Sequence, residues 1–236
     1  MVDYDAIERA ISKALEFVRR PIAISFKDVA PAGVTKFAGT EPSGCSFWRI
    51  AAEGRTFYTV PSDHYNCAVG SHTHNIELPK ERAGELEQTI SFMTRVQYIR
   101  VEEIPGFPRL PKAPGVVVYA PLGDTPVDPD VILFAGRPAR ISLLMEAANR
   151  AGITAKTPFL GRPTCSALAA TLAGGAVAST GCIGNRVYTD LGEDELYAAI
   201  RGSDVGRLAD EAQTIAAANR QLSDYHRARR KELATQ

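Results

Sequence analysis

Two hydrophobic periods alternate along this chain. Over residues 4–19, Ile7, Ile11, Ala14, Leu15 and Val18 recur at helical spacing. That spacing predicts an amphipathic helix with one buried stripe, closed by Arg19, Arg20 and Pro21. Pro21 to Phe26 then reads as a strand, and the Pro-, Gly- and Thr-rich residues 27–44 read as a loop. Cys45 to Ala52 predicts a short helix stopped by Gly54, with Ser43 as a candidate cap. Arg55 to Val60 is β-favouring and ends in the turn sequence Pro61-Ser-Asp-His64. Lys80 to Phe92 predicts a polar helix and Val96 to Val101 a strand, while the four prolines within residues 104–114 predict an irregular loop.

Further on, Val116 to Ala120 and Val131 to Ala135 are continuous apolar runs, the pattern of strands covered on both faces. Pro138 opens a helix carrying Ile141, Leu144, Met145 and Ala148, which ends at Gly152. Cys165 to Leu172 predicts another short helix, with Thr164 as a candidate cap and Gly174-Gly175 as its stop. Ala176 to Thr180 reads as a small-residue strand, and Arg186 to Thr189 and Glu195 to Ile200 as two more. Residues 204–233 form the longest predicted helix, with Leu208, Ala212, Ile215, Ala218, Leu222 and Tyr225 on one face. Strands interleaved with helices point to one α/β or α+β domain over residues 1–236, a mixed sheet flanked by helices. A loose internal repeat runs through it. Cys45, a short helix, a glycine, a strand and Cys67 are matched by Cys165, a short helix, Gly-Gly, a strand and Cys182. The repeat points to two similar halves, residues 20–100 and 115–203, with the cysteines near their junction.

Composition narrows the function classes. The chain has 236 residues, 45% of them hydrophobic, enough for a substantial core. Its 27 basic and 27 acidic residues balance, so no field of one sign would draw nucleic acid. The basic run from His226 to Lys231 reads as a solvated helix end. Met1 to Asp5 lacks the basic and apolar regions of a signal peptide, and no apolar run approaches the roughly 20 residues of a membrane span. The expectation is a soluble, cytoplasmic protein with no membrane partner, and a homo-oligomer is compatible with it. In that compartment four cysteines are thiols, metal ligands or redox groups rather than a disulfide framework.

The most distinctive stretch is Thr180-Gly-Cys-Ile-Gly-Asn-Arg-Val-Tyr-Thr189, echoed by Tyr65-Asn-Cys-Ala-Val-Gly-Ser71. Each cysteine opens a helix or sits on a glycine turn, surroundings that favour thiolate. Three readings compete. Cys45, Cys67, Cys165 and Cys182 converge on one iron–sulfur cluster or one zinc ion, although no Cys-x-x-Cys pair signals it. Alternatively, one or two are redox or nucleophilic groups of a thiol-dependent enzyme. Or they are buried packing residues, a reading that suits Cys165 best and Cys67 and Cys182 least. Cys182, between Gly181 and Gly184, is expected to be the most accessible.

Arg162 and Arg186 stand beside cysteine motifs and have the chemistry to hold a small anion. Together with the open backbone at Gly181 and Gly184 they support the alternative of a non-enzymatic module for a small anionic ligand. An ion pair of either arginine with Asp194 or Glu195 is as good a reading. His64, three residues before Cys67, has metal-ligand spacing, but a surface turn histidine is the simpler reading. His72 and His74 alternate as on a strand and have the chemistry to ligate a metal together, but a solvated loop is the simpler reading. Phe47 and Trp48 read as core. No phosphate-binding loop or dinucleotide fingerprint is present.

These motifs resemble those of the family called domain of unknown function 169. The residues that carry the resemblance are Cys45-Ser-Phe-Trp-Arg49; Phe57-Tyr58 with Asp63-His64 and Cys67; Val118-Tyr-Ala-Pro-Leu122; and Pro129-Asp-Val131. Gly161-Arg-Pro-Thr-Cys165 and Gly181-Cys-Ile-Gly-Asn-Arg-Val-Tyr-Thr189 with Glu195 complete the set. The similarity spans nearly the whole chain and implies one fold-sized unit and a set of positions, not a reaction. His72-Thr-His74 departs from the family pattern, where glycine, aliphatic or aromatic residues are usual.

Overall fold

A computed structural model describes residues 2–154 and 159–235. The chain begins with α1 (Tyr4–Leu15), whose first turn is capped by Asp3 accepting from the Ala6 amide at 2.9 Å. The predicted helix ends early because Glu16 adopts a left-handed conformation, with φ of 56°. Val18 therefore leaves the buried stripe and is 98% exposed. After α1 come β1 (Ile22–Lys27), α2 (Ser46–Ala52), β2 (Phe57–Thr59), α3 (Ala68–Thr73) and α4 (Glu85–Arg95). The second part carries β3 (Val116–Pro121), β4 (Val131–Gly136), α5 (Pro138–Arg150) and α6 (Ser166–Gly174). It closes with β5 (Ala176–Ser179), α7 (Ile183–Thr189), β6 (Leu196–Arg201) and α8 (Val205–Ala234).

The strands form one six-stranded sheet in the order β2-β3-β1-β4-β6-β5, and each neighbouring pair is antiparallel. The order reads the same from both edges once β1 is equated with β4, β3 with β6 and β2 with β5. The sheet's halves are thus β2-β3-β1 and β4-β6-β5, so β3 belongs with the first half and not with residues 115–203 as expected; they meet at the short β1–β4 ladder, where Ala23 faces Ile132, flanked by the pairs Ile22–Leu133 and Ile24–Val131.

Alternation along these strands sorts the core into two layers. Ala23, Ile132, Phe134, Ala198 and Ile200 face a helical layer made by α1, α5 and α8. Ile22, Ile24, Val131, Leu133, Tyr119 and Tyr197 face the opposite layer, where Phe47 and Trp48 of α2 and Leu168 of α6 are fully buried. With helices on both faces, β3 and β4 need apolar residues at every position, which explains their continuous runs. The expected mixed sheet of a helix-and-strand domain is thus an antiparallel sheet between two helical layers.

Four further local expectations change. Residues 96–101 follow α4 as an irregular turn, not a strand, with Gln97 in a left-handed conformation. Residues 186–189 lie within α7, because Cys182 stands at its N-cap and the helix runs on to Asp190 in a left-handed conformation. His72 lies in α3 and His74 caps it, so neither is on a strand. In α8 the buried residues are Val205, Leu208, Ala209, Ala212 and Ala216, after which the helix leaves the domain. Leu222 and Tyr225, placed on the buried face by periodicity, are exposed.

The projecting end contributes nothing to the core. Removing residues 226–236 is expected to move the thermal midpoint by less than about 2 °C. Leu208→Ala, at a fully buried position, is expected to cost about 2–5 kcal/mol. Chemical denaturation of both variants checks the contrast.

Candidate functional site

Each half builds the same strap ahead of its first cysteine. The Phe37 amide donates to the Tyr58 carbonyl at 2.8 Å, and the Leu160 amide donates to the Ala178 carbonyl at 2.9 Å. Tyr58 is 13 residues after Cys45, and Ala178 is 13 residues after Cys165. The Ser46 amide donates to the Ser43 carbonyl at 3.2 Å, as the Ser166 amide does to Pro163 at 3.1 Å. Cys45 and Cys165 thus open α2 and α6 in the same way. The second cysteine of each half caps a short helix, Cys67 on α3 and Cys182 on α7. The longer Cys45–Cys67 spacing is taken up by a 3-10 turn at Pro61–His64 that follows β2.

All four cysteines line one cavity of about 170 Å³. All are partly buried and none is in a disulfide. The segment between α3 and β3 lies over this cavity, supplying Met93, Tyr98 and Phe107. The second half reaches β6 directly after α7 and has no equivalent cover. Among the described residues, no three Cys, His, Asp or Glu side chains are gathered closely enough to hold a single metal ion.

Local contacts fix the cysteines unequally. The Cys67 sulfur accepts from the Gly70 amide at 3.2 Å. Cys45 and the Ser43 hydroxyl share a hydrogen bond at 3.0 Å. The Thr164 hydroxyl, expected to cap α6, accepts from the Cys182 amide and ties the two cysteine loops of the second half together. Gly181 has φ of +75°, and a Cβ there would lie 2.9 Å from the Asn185 side-chain oxygen. Its requirement is conformational. Gly184 lines the cavity in ordinary helical geometry.

The two arginines have different surroundings. Arg162 lines the cavity, donates to Glu103 at 3.1 Å and holds its guanidinium 5.1 Å from the Tyr98 ring centre. Arg186 is away from the lining and donates to the carbonyls of Thr180, Gly192 and Glu195. Those three bonds staple the Cys182 turn to the start of β6. The carboxylates considered as their partners pair elsewhere, Glu195 with Arg19 and Asp194 with Arg137.

His64 is 2% exposed rather than on the surface, because the 3-10 turn folds it under α2. It stacks on His74 at 5.6 Å and shares a 2.8 Å hydrogen bond with Thr59. Burial holds His64 down at about 3, with His74 adding repulsion, and burial lowers His74 as well. Burial thus favours the neutral ring in both, and neither lines the cavity.

Burial also decides the thiols. Desolvation pushes Cys45 up to about 12, raises Cys67, and raises Cys165 well above the usual thiol range, with mutual repulsion among the sulfurs adding to each. The thiolate favoured by their helix starts is therefore not the resting form of these three in the metal-free protein. Desolvation outweighs the hydrogen bonds that Ser43 and Gly70 provide.

Unpartnered buried polar atoms gather around the same place. Asn185 lines the cavity, is 1% exposed, and has no partner for either side-chain amide atom. The Arg162 Nε is buried and unpartnered, as are the Ser166 hydroxyl beside Cys165 and the Tyr119 hydroxyl. Burial raises the Tyr119 hydroxyl, and any negative charge on Cys45 or Cys165 would raise it further. Orphaned buried groups are rare and call for an explanation. Of these residues Asn185 and Arg162 line the cavity, and the Asn185 amide nitrogen and the Arg162 Nε can both donate, so they suit an acceptor-rich body there. Sequence reasoning gave Asn185 no role although it stands inside the quoted motif. It also missed Tyr98 and Met93, which carry no signal of their own.

The family model described as Uncharacterised ArCR, domain of unknown function 169, matches residues 10–211. No curated protein and no solved structure matches the chain.

The direction of the thiol shifts is testable. The metal-free, reduced protein is expected to show Cys45 and Cys165 alkylating at pH 8 at least about tenfold more slowly than in denaturant. In the folded state Cys45 deprotonates near 12 instead of its ordinary 9. Its contribution to stability is complete below about pH 9 and is lost as pH rises towards 12. Peptide mass analysis after timed labelling, with unfolding followed across that range, checks both.

Proposed function

For this chain, which belongs to the Uncharacterised ArCR family, we propose that the four cysteines jointly ligate an iron–sulfur cluster that serves a redox role. The observation that carries the reading is the convergence of Cys45, Cys67, Cys165 and Cys182, two from each half, on one cavity edged by orphaned donors.

Three features support a cluster over a single zinc ion. A lone tetrahedral ion draws four sulfurs to about 2.3 Å from one centre. Here the sulfurs stand around a void of about 170 Å³. A four-iron cluster places one iron before each thiolate, so its ligands stand further apart, and four cysteines are its usual set. Thiolates and inorganic sulfides also accept hydrogen bonds, which matches the unsatisfied N–H and O–H groups.

The chain's own residues then have definite tasks. Cys45 and Cys165 present sulfur from the first turns of α2 and α6, rooted in the core through Phe47, Trp48 and Leu168. Cys67 and Cys182 present it from the caps of α3 and α7. Met93, Tyr98 and Phe107 limit water at the site. Metal binding displaces the thiol protons, so the raised values of the metal-free cavity are overcome by ligation.

Protein purified without oxygen is expected to be brown, with about four iron and four sulfide per chain and a charge-transfer absorption bleached by dithionite. Cys165→Ala and Cys67→Ala are each expected to lower iron content at least about tenfold. Colourless wild-type protein that stays metal-free after anaerobic reconstitution, or that holds one zinc per chain, rejects the reading.

A further inference from the structure

The two halves differ at two positions that bear on the cavity. Three residues before the first cysteine, the first half has Pro42 and the second has Arg162. Three residues after the second cysteine, the first half has Gly70 and the second has Asn185. Pro42 and Gly70 have no side-chain donor. Arg162 and Asn185 both line the cavity, and both leave a buried N–H group without a partner.

Neither donor is free for ordinary structural reasons. Arg162 is held in orientation by Glu103 on one side and by the Tyr98 ring beneath it, yet its Nε remains unpaired. The Glu103 carboxylate offsets its charge, so what Arg162 offers the cavity is a directed N–H more than a positive field. Asn185 is pinned in α7, whose backbone carbonyl at that residue accepts from Thr189 at 2.8 Å. Its amide makes no hydrogen bond of ordinary length within the protein, although it lies near enough to the Cys45 thiol and the Tyr197 hydroxyl to favour their ionised forms.

We propose that Arg162 and Asn185 donate hydrogen bonds to sulfur atoms of the bound metal centre, raising its reduction potential. The inference rests on the cluster reading. An N–H bond to sulfur strengthens as negative charge on the centre grows, so it stabilises the reduced state more than the oxidised one. The first-half sulfurs already have the Gly70 amide and the Ser43 hydroxyl, so Arg162 and Asn185 add side-chain donors to a set that the fold itself supplies.

The test is an anaerobic redox titration with dithionite as reductant, comparing full-length wild type, Asn185→Leu and Arg162→Met. Both variants are expected to keep their iron and sulfide and to become harder to reduce. At a fixed potential the reduced-to-oxidised ratio should fall roughly tenfold per lost donor, about 59 mV for one electron. A purely structural role would change cluster content or thermal midpoint and leave the potential of the loaded protein alone. Full cluster occupancy with an unchanged potential in both variants overturns the inference.

A measurement on wild type covers variants that fail to fold. Protein labelled with ¹⁵N at asparagine is reduced and examined by pulsed electron paramagnetic resonance. A hyperfine coupling to the Asn185 side-chain nitrogen is expected, and its absence overturns the proposal. Wild type lacking any iron–sulfur signal would instead defeat the cluster reading, so the two failures are distinguishable.

Discussion

The molecule depends on a three-residue ladder. Ile22, Ala23 and Ile24 of β1 pair with Leu133, Ile132 and Val131 of β4, and among the described residues no other strand pairing joins the two halves of the sheet. Because side chains alternate along a strand, that register decides which residues face each helical layer. Ala23 and Ile132 face α1, α5 and α8, while their neighbours face α2 and α6. A slip of one residue would turn the Phe47–Trp48–Leu168 layer away from its sheet, and with it the helices that carry Cys45 and Cys165. The meeting of four thiols is thus a consequence of strand register, set well away from the sulfurs.

The site that results is costly in the metal-free chain. Each buried donor without a partner costs about 1–3 kcal/mol. Asn185, Arg162, Ser166 and Tyr119 each leave at least one such atom. Ligation of a structural metal by thiolates contributes about 10–16 kcal/mol in small zinc domains. A centre of that strength would offset the unmade hydrogen bonds and the loss of the thiol protons together. An ordinary packing role for the cysteines leaves these groups unexplained.

Much of this was legible in the residues, for identifiable reasons. Continuous apolar runs at 116–120 and 131–135 marked strands buried on both faces, and the glycine stops placed the short helices after Cys45 and Cys165. The match between cysteine spacings pointed to paired halves, and the structure accounts for the difference between 22 and 17 residues through the Pro61–His64 turn. Other features were hidden. The β-favouring Val187-Tyr188-Thr189 is helical because the left-handed Gly181 turn and Cys182 start α7 upstream of it. His64 looked like a turn residue because nothing local reveals that α2 will cover it. The thiolate expectation failed for Cys45, Cys67 and Cys165 because helix-start effects are local, while burial depends on the whole fold, including the distant segment that brings Met93, Tyr98 and Phe107 to the cavity. Arg186 sits beside a cysteine and resembles a ligand clamp, but its three carbonyl partners come from the turns on either side of α7.

The central claim is that one centre is shared by both halves, and native mass spectrometry of the anaerobically prepared chain tests it most directly. The account predicts a single species whose added mass is one four-iron, four-sulfide core per chain, with all four cysteines blocked to alkylation until the core is removed. A chain at its bare sequence mass after anaerobic reconstitution, or one carrying metal while cysteines of one half remain freely alkylated, would contradict it.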